Sequence, residues 1–207
     1  LVPRDPARLV AVQEAERKRL AELVHDRQVP MLTDVQLQLG VLEKRLGDHD
    51  EVHRVRVLQD RLSAAIISAR RLMIELYPSS LDRVGLFAAV NEYAAMVFDD
   101  TVDVSVSGRL SSDLDAETMA IVYRIAQEAL HNAAVHARAT QVEVSLEERD
   151  GGVRLEVRDD GTGFAQADRS DRSGLARMTE RASVAGGWSD IAPALGSGTI
   201  VTAWVPR

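Results

Sequence analysis

Three groups of residues in this 207-residue chain have the types and the spacing for chemistry. The first is the run Asp159-Asp160-Gly161-Thr162-Gly163-Phe164, which follows an alternating apolar segment. Its two glycines let the backbone approach a ligand and leave amide groups for polar or anionic partners, although an ordinary loop accounts for the run equally well when it is taken alone. The second is Glu128 and Asn132, with His136 a further four residues on. On a helix these leave one face in a row. Asn supplies a neutral oxygen suited to hydrated Mg²⁺ and Glu can orient a water or a metal-bound ligand, while a solvated ridge is the plain alternative. The third is His25-Asp26. A neutral imidazole nitrogen is a competent nucleophile near neutral pH, and an adjacent carboxylate can hold the ring's tautomer and take up its proton.

Helices and strands must carry these groups. From Asp5 to Tyr77 glycine occurs only at Gly40 and Gly47, and proline inside the pattern only at Pro30. Leu32, Val35, Leu39, Leu42 and Leu46, then Val55, Leu58, Leu62, Ala65, Ala69, Leu72 and Leu76, recur at gaps of three and four, which predicts two helices joined near Gly47-Asp48. Flanking Leu37, Val41, Ile66 and Met73 make the stripe wider than one hairpin covers, so pairing two hairpins into a four-helix bundle is expected. At ~100° per residue, His25 falls about 80° from the centre of the stripe of Leu20, Val24, Met31, Leu32, Val35, Leu39, Leu42 and Leu46, at its edge. Pro30 should bend the helix just below it. Tyr77-Pro78-Ser79-Ser80-Leu81 then breaks the helix and marks a domain boundary.

Beyond it the period changes over short distances. The spacing predicts a helix over about 83–98, a strand at Val102–Val106, a helix from about Asp115 to His136, and strands at Gln141–Leu146 and Val153–Val157 around an Asp150-Gly151-Gly152 hairpin. A helix over about 174–185 and a last strand, Gly198–Val205, complete a mixed sheet under helices. Phe87, Tyr93 and Phe98 are expected to pack the linking helix onto the sheet, and Trp188 and Trp204 to pack on strands. His49 and His53 lie at the hairpin turn and read as solvated surface, and His131 as facing away from the Asn132 ridge.

Composition narrows the function classes. With 45% hydrophobic and 28% charged residues the chain can bury one large core or two small ones, and no apolar run approaches the roughly 20 residues of a membrane helix. The absence of cysteine excludes disulfides, thiolate metal sites and a cysteine nucleophile, and fits a reducing, cytoplasmic setting. Basic residues number 13 against 12 acidic up to Tyr77, and 12 against 20 beyond it. So acidic a second half argues against direct nucleic-acid binding. The chain does not begin with Met, and Leu1-Val2-Pro3-Arg4 matches the start of a thrombin-cleavable linker, so the start reads as added sequence or a cut from a longer protein.

The order of the motifs gives them meaning. Gln127 to Ala137, then Asp159 to Phe164, then Gly174-Leu175, then Gly196-Ser197-Gly198-Thr199 resembles the ATP-binding domain of sensor histidine kinases, the Bergerat fold. That resemblance implies an α/β two-layer domain over 80–207 that binds ATP and Mg²⁺. Asn132 would ligate the metal with Glu128 beside it, Asp159 would accept a hydrogen bond from the adenine amino group, and Gly161, Gly163 and Gly174 would shape the pocket with Leu175 and Thr199. His136 matches the family's phosphate-side histidine. Two positions depart from the pattern: the N box usually has a basic residue where Val135 stands, and the usual glycine of GLxGM is Arg177. No lysine follows Lys44, so phosphate charge falls to Mg²⁺, backbone amides, His136 or Arg177.

The run Ala15 to Asp26, with basic Arg17-Lys18-Arg19 ahead of His25-Asp26, resembles the phosphoacceptor box of NarL/DesK-type histidine kinases. Residues 7–77 would then be an all-α dimerisation and phosphoacceptor hairpin, His25 the acceptor and Asp26 its proton partner. Phosphotransfer to the aspartate of a response regulator receiver domain would follow, and a membrane would be involved only through an upstream segment. The phosphatase Gln usual five residues after the His is Pro30 here, Gln28 stands two earlier, and the Thr or Asn that larger relatives place before that proline is Val29. Neither phosphatase pattern is intact, which implies weak phosphatase activity. The rival reading is a non-catalytic, dimeric ATP-binding scaffold; an ATP-dependent serine kinase or clamp would not require the His25-Asp26 box.

Overall fold

Heptad spacing and one proline organise the first third of the computed structural model, which describes residues 6–47, 51–111, 113–163, 172–194 and 198–207. Leu1–Arg4, Asp48, His49, Phe164, Gly196 and Ser197 lie outside the described residues. Helix α1 (Pro6–Leu23) runs through a wide π turn (Val24–Gln28) into α2 (Val29–Leu46), and α3 (Val52–Leu76) returns beside α2. Where a bend was expected, the helix widens instead: the Val29 N–H bonds the Val24 carbonyl, five residues back. In a regular helix the Pro30 ring would meet the Asp26 carbonyl, and an extra residue in the turn moves that carbonyl away.

The apolar stripe divides between two faces. Leu32, Leu39 and Leu46 of α2 and Val55, Leu62, Ile66 and Ala69 of α3 are buried or half-buried, and the polar pairs that accompany them run antiparallel. Gln36 Nε2 donates to Ser63 Oγ at 3.0 Å, and Glu43 accepts from Arg56 Nε at 2.8 Å and from Gln59 Nε2 at 3.2 Å. Val35, Leu42, Leu58, Ala65 and Leu72, placed in the same rows by spacing, are exposed. The Lys18 ammonium lies 5.5 Å from the centroid of the buried Tyr77 ring, a cation–π contact.

The second unit is built on one mixed sheet. After α4 (Ser79–Arg83) and α5 (Leu86–Val97) come β1 (Asp103–Arg109), α6 (Ala116–Asn132), a π turn (Ala133–Ala137), β2 (Gln141–Arg149), β3 (Gly152–Asp159), α7 (Arg172–Val184), β4 (Trp188–Pro193) and β5 (Thr199–Pro206). The strand order is β1-β2-β3-β5-β4, with only the β1–β2 pair parallel. Cross-strand register stacks Val144, Val157 and Val201, and likewise Leu146, Leu155 and Ala203, on one buried face, while Glu143, Arg158, Glu156 and Arg154 alternate to the other. Helices α5, α6 and α7 cover the buried face, giving two layers. The two-residue β2–β3 turn uses Asp150 and Gly151, both at positive φ (55° and 76°), a primed turn within the hairpin the sequence indicates.

α6 lies centrally. Ile121 to Ala126 are all buried, because α5, α7, β3 and β5 surround it. Its start is fixed by Asp115, whose side chain accepts from the Thr118 N–H at 2.8 Å, a cap worth about 1 kcal/mol. Burial raises the Tyr123 hydroxyl well above its ordinary range, and the ring meets Tyr93 edge-on at 6.3 Å.

Several expectations are corrected. The helix expected over 83–98 is α5, and ahead of it, in the segment read as a break, stands the short α4, separated from α5 by Gly85 at φ 110°. Phe87 is 40% exposed and does not pack on the sheet. β4 is a separate edge strand that its mixed polar pattern concealed; Trp188 pairs with Trp204, whose Nε1 donates to the Arg149 carbonyl at 2.9 Å. The α-helix ends at Asn132, so His136 does not continue the Glu128–Asn132 row: four residues span less than one π turn.

By internal contacts the chain divides into Ala15–Ser79 and a unit of Ser80–Arg207 joined by Leu1–Glu14. No helix among the described residues is long and apolar enough to cross a membrane.

Candidate functional site

At the end of β3 the inward side-chain row ends in a carboxylate. Asp159 stands opposite Val142 on the core face and is 6% exposed. Its Oδ1 accepts from the Gly161 N–H at 3.0 Å, and among the described residues no donor reaches Oδ2. A buried acceptor with one oxygen committed to its own loop and the other available suits a ligand donor.

The neighbouring Asp160 holds the loop. Its Oδ1 accepts from the backbone N–H groups of Thr140 (2.8 Å) and Gln141 (2.9 Å), and Oδ2 accepts from Thr140 Oγ1 at 2.6 Å. The Thr140 hydroxyl first, and then the Gln141 amide, hold the Asp160 carboxyl below its usual range. The next step of the loop is anchored to the π turn that ends α6: the Thr162 N–H donates to the Ala137 carbonyl at 2.8 Å. Gly161 is packed there so closely that a side chain would overlap that carbonyl. Asp160 stands in the run the sequence singles out but had no role assigned there, and the anchoring group of Ala137 is a backbone carbonyl with no sequence signal.

The other glycines close the arrangement. Gly174, in the first turn of α7, lies against α6 where a Cβ would overlap Glu128 Oε1 and come 3.5 Å from Asn132 Nδ2. Gly198, just before β5, has φ 95° and faces the Asp159 carbonyl, while Gly163 at φ 67° faces Gly198 in turn. Gly198→Ala is expected to lower unfolding free energy by roughly 1–3 kcal/mol, read as a lower urea midpoint; an unchanged midpoint would mean that this approach is not tight.

The fold therefore brings Glu128 and Asn132 to Gly174, Gly161 to the turn after Asn132, and Gly163 to Gly198 beside Asp159. Glu128 and Asn132 are half-buried, with no side-chain hydrogen bond among the described residues. Leu175 and Thr199 are half-buried at the starts of α7 and β5. His136, Val135 and Arg177 are exposed. His25 and Asp26 belong to the helical unit, both exposed on its π turn, with Pro30 also exposed.

The donor chemistry fits Mg²⁺ carried by a nucleotide. Such an ion takes one or two protein oxygens with phosphates and water, and the Asn132 amide oxygen with the Glu128 carboxylate one turn away supplies that number. No group of three or more metal-ligating His, Asp or Glu forms among the described residues.

Comparison with known proteins agrees with this geometry. Residues 118–207 match the family model described as histidine kinase-, DNA gyrase B- and HSP90-like ATPase. The chain is 35% identical over 202 residues to the oxygen sensor histidine kinase NreB of Staphylococcus carnosus, covering 95% of this chain and 58% of that protein. The chain thus spans somewhat over half the length of this curated relative. The histidine kinase domain of the Erythrobacter litoralis EL346 blue-light activated histidine kinase superposes with a TM-score of 0.55 at 20% identity, over 86% of this chain and 94% of that one. Full-length ShkA, in a structure with AMPPNP, gives a TM-score of 0.51 at 19% identity, over 91% and 45%. Both likenesses concern the fold.

Proposed function

We infer, from the premise that this chain is a sensor histidine kinase homologue whose residues 118–207 are an ATPase domain of the histidine kinase, gyrase B and HSP90 type, that it transfers the γ-phosphoryl group of ATP to His25 and onward to a response regulator. The observation that carries the nucleotide half is the packing of Gly174 of α7 against Glu128 and Asn132 of α6, with Gly161 of the loop after Asp159 against the turn that follows Asn132, and with Asp159 Oδ2, Glu128 and Asn132 left without side-chain partners among the described residues.

In this reading Asp159 Oδ2 accepts from the adenine amino group and Gly161 lets the base approach the backbone. Gly163 and Gly198 give the loop its course, Leu175 and Thr199 flank the pocket, and His136 meets phosphate. Asn132 would hold Mg²⁺ with Glu128 orienting a water beside it, and the ion supplies neutralisation of phosphate charge. A ring nitrogen of His25 attacks the γ-phosphorus as the bond to the leaving ADP oxygen breaks, and Asp26 takes the imidazole proton. Exposure of both on the π turn supports access of the phosphoryl donor and later of a receiver domain.

The exposed half of the stripe supports a homodimer. Met31, Val35 and Leu42 on α2 with Leu58, Ala65 and Leu72 on α3 form the unpaired rows a second hairpin would cover, making a four-helix bundle. A cytoplasmic setting, with any membrane attachment supplied by other parts of a longer protein, is the matching location.

Incubation with γ-labelled ATP and Mg²⁺ tests the reading, with acid-labile, base-stable label as the expected product. Absence of label, or an acid-stable product, would overturn it. Asp159→Asn should weaken ATP binding by on the order of 10–100-fold, since a charged-acceptor hydrogen bond is worth about 1.5–3 kcal/mol. Competition between ATP and GTP is the check: retained ATP affinity with GTP still rejected would remove Asp159 from base recognition.

A further inference from the structure

The first turns of α1 are attached to the α/β unit through a charge. Between Arg8 and Glu14 the only buried residue is Glu14, while Leu9 and Val12 are 42% and 55% exposed. Glu14 Oε2 accepts from Arg124 Nε at 2.8 Å, and Oε1 accepts from Arg181 Nη1 at 3.0 Å. The Arg124 side chain is 3% exposed and that of Arg181 19%. Arg124 Nη1 also donates to Gln127 Oε1 at 2.8 Å. A carboxylate between two guanidinium groups neutralises charge that burial would otherwise penalise, so its removal leaves Arg124 buried without that countercharge.

The two arginines lie on the helices that meet at the candidate site. Arg124 is one turn before Glu128 and two before Asn132 on α6. Arg181 is two turns after Gly174 on α7, and Gly174 rests against Glu128 and Asn132. Glu14 thus bridges α6 and α7 one turn along α6 and two turns along α7 from where Gly174 meets Glu128. Val10 is half-buried and no apolar side chain of residues 8–14 is fully buried, so the ionic bridge is the segment's one buried anchor and little apolar surface is exposed when it opens.

We propose that Glu14 is a positioning residue: by bridging Arg124 and Arg181 it sets the spacing of α6 and α7 and links docking of the first turns of α1 to nucleotide occupancy of the Glu128–Asn132–Gly174 site. The proposal rests on the nucleotide reading above. Linkage makes the effect reciprocal: bound nucleotide tightens the segment, and whatever pulls the segment away weakens nucleotide binding by the same factor.

The test uses the whole chain, with Mg²⁺-ATP titration and amide hydrogen exchange of residues 8–14 with and without ATP. In the unaltered protein ATP should slow that exchange by about fivefold or more, the lower end of typical coupling. Glu14→Gln should lower ATP affinity about tenfold and leave exchange in residues 8–14 insensitive to ATP, with β2 and β3 as protected as before. Arg181→Gln keeps the Glu14–Arg124 pair and should shift both readouts the same way by a smaller factor, which holds the proposal to account if Glu14→Gln does not fold. A merely stabilising ion pair would not make exchange in one segment depend on ATP. An unaltered protein that binds ATP without protecting residues 8–14, or an Arg181→Gln chain matching it in both readouts, overturns the proposal alone. Failure of the unaltered protein to bind ATP overturns the nucleotide reading and this proposal together.

Discussion

His25→Gln is expected to reduce label from γ-labelled ATP to background while leaving ATP binding unchanged. Gln keeps polarity and approximate size but has no nucleophilic ring nitrogen, so the acceptor is removed and nothing else need change. The His25 side chain is exposed and makes no hydrogen bond among the described residues, so the fold asks nothing of it. The helical content of the variant should match that of the unaltered chain. Label persisting at the original level would place the acceptor elsewhere, and His53, His131 and His136, all exposed, would be the next to replace.

Asp26→Asn should slow autophosphorylation by roughly 10²–10⁴, the usual cost of losing a positioned general base. The substitution preserves shape and removes only the proton acceptor. Asp26 is exposed on the π turn and takes no part in the polar pairs that join α2 and α3, so its loss should appear in the rate of transfer and not in ATP affinity or unfolding. Single-turnover labelling at saturating ATP separates these. An unchanged rate would mean that solvent or another group accepts the proton.

Much of the architecture was legible because it depends on local pattern. Gaps of three and four residues predicted α2 and α3, and alternation around Asp150-Gly151-Gly152 predicted the β2–β3 hairpin. Departures came where packing or backbone strain overrode pattern. Phe87 reads as a core aromatic, yet Leu86, Ala89, Val90 and Tyr93 form the buried face of α5 and Phe87 stands outside it. Pro30 reads as a bend and is absorbed by a wider turn.

By itself the sequence offered Glu128, Asn132, Asp159 and Gly161 as candidates by type and spacing, each with a plain alternative beside it, and only the order of the motifs, which also brought in Gly174, made them a resemblance. It also set the two periods, helical to Tyr77 and mixed beyond, because apolar spacing reports which face of each element must leave water. Tertiary structure alone decided the rest: that the Ala137 carbonyl anchors the glycine loop, that Gly174 meets Glu128, that the heptad rows divide into a covered and an open half, and that Glu14 joins Arg124 and Arg181. Each of these joins residues from separate segments, or divides one row by what lies across from it. A carbonyl has no sequence signature, and a carboxylate on an exposed helix looks like any other until two arginines, 110 and 167 residues away, close over it.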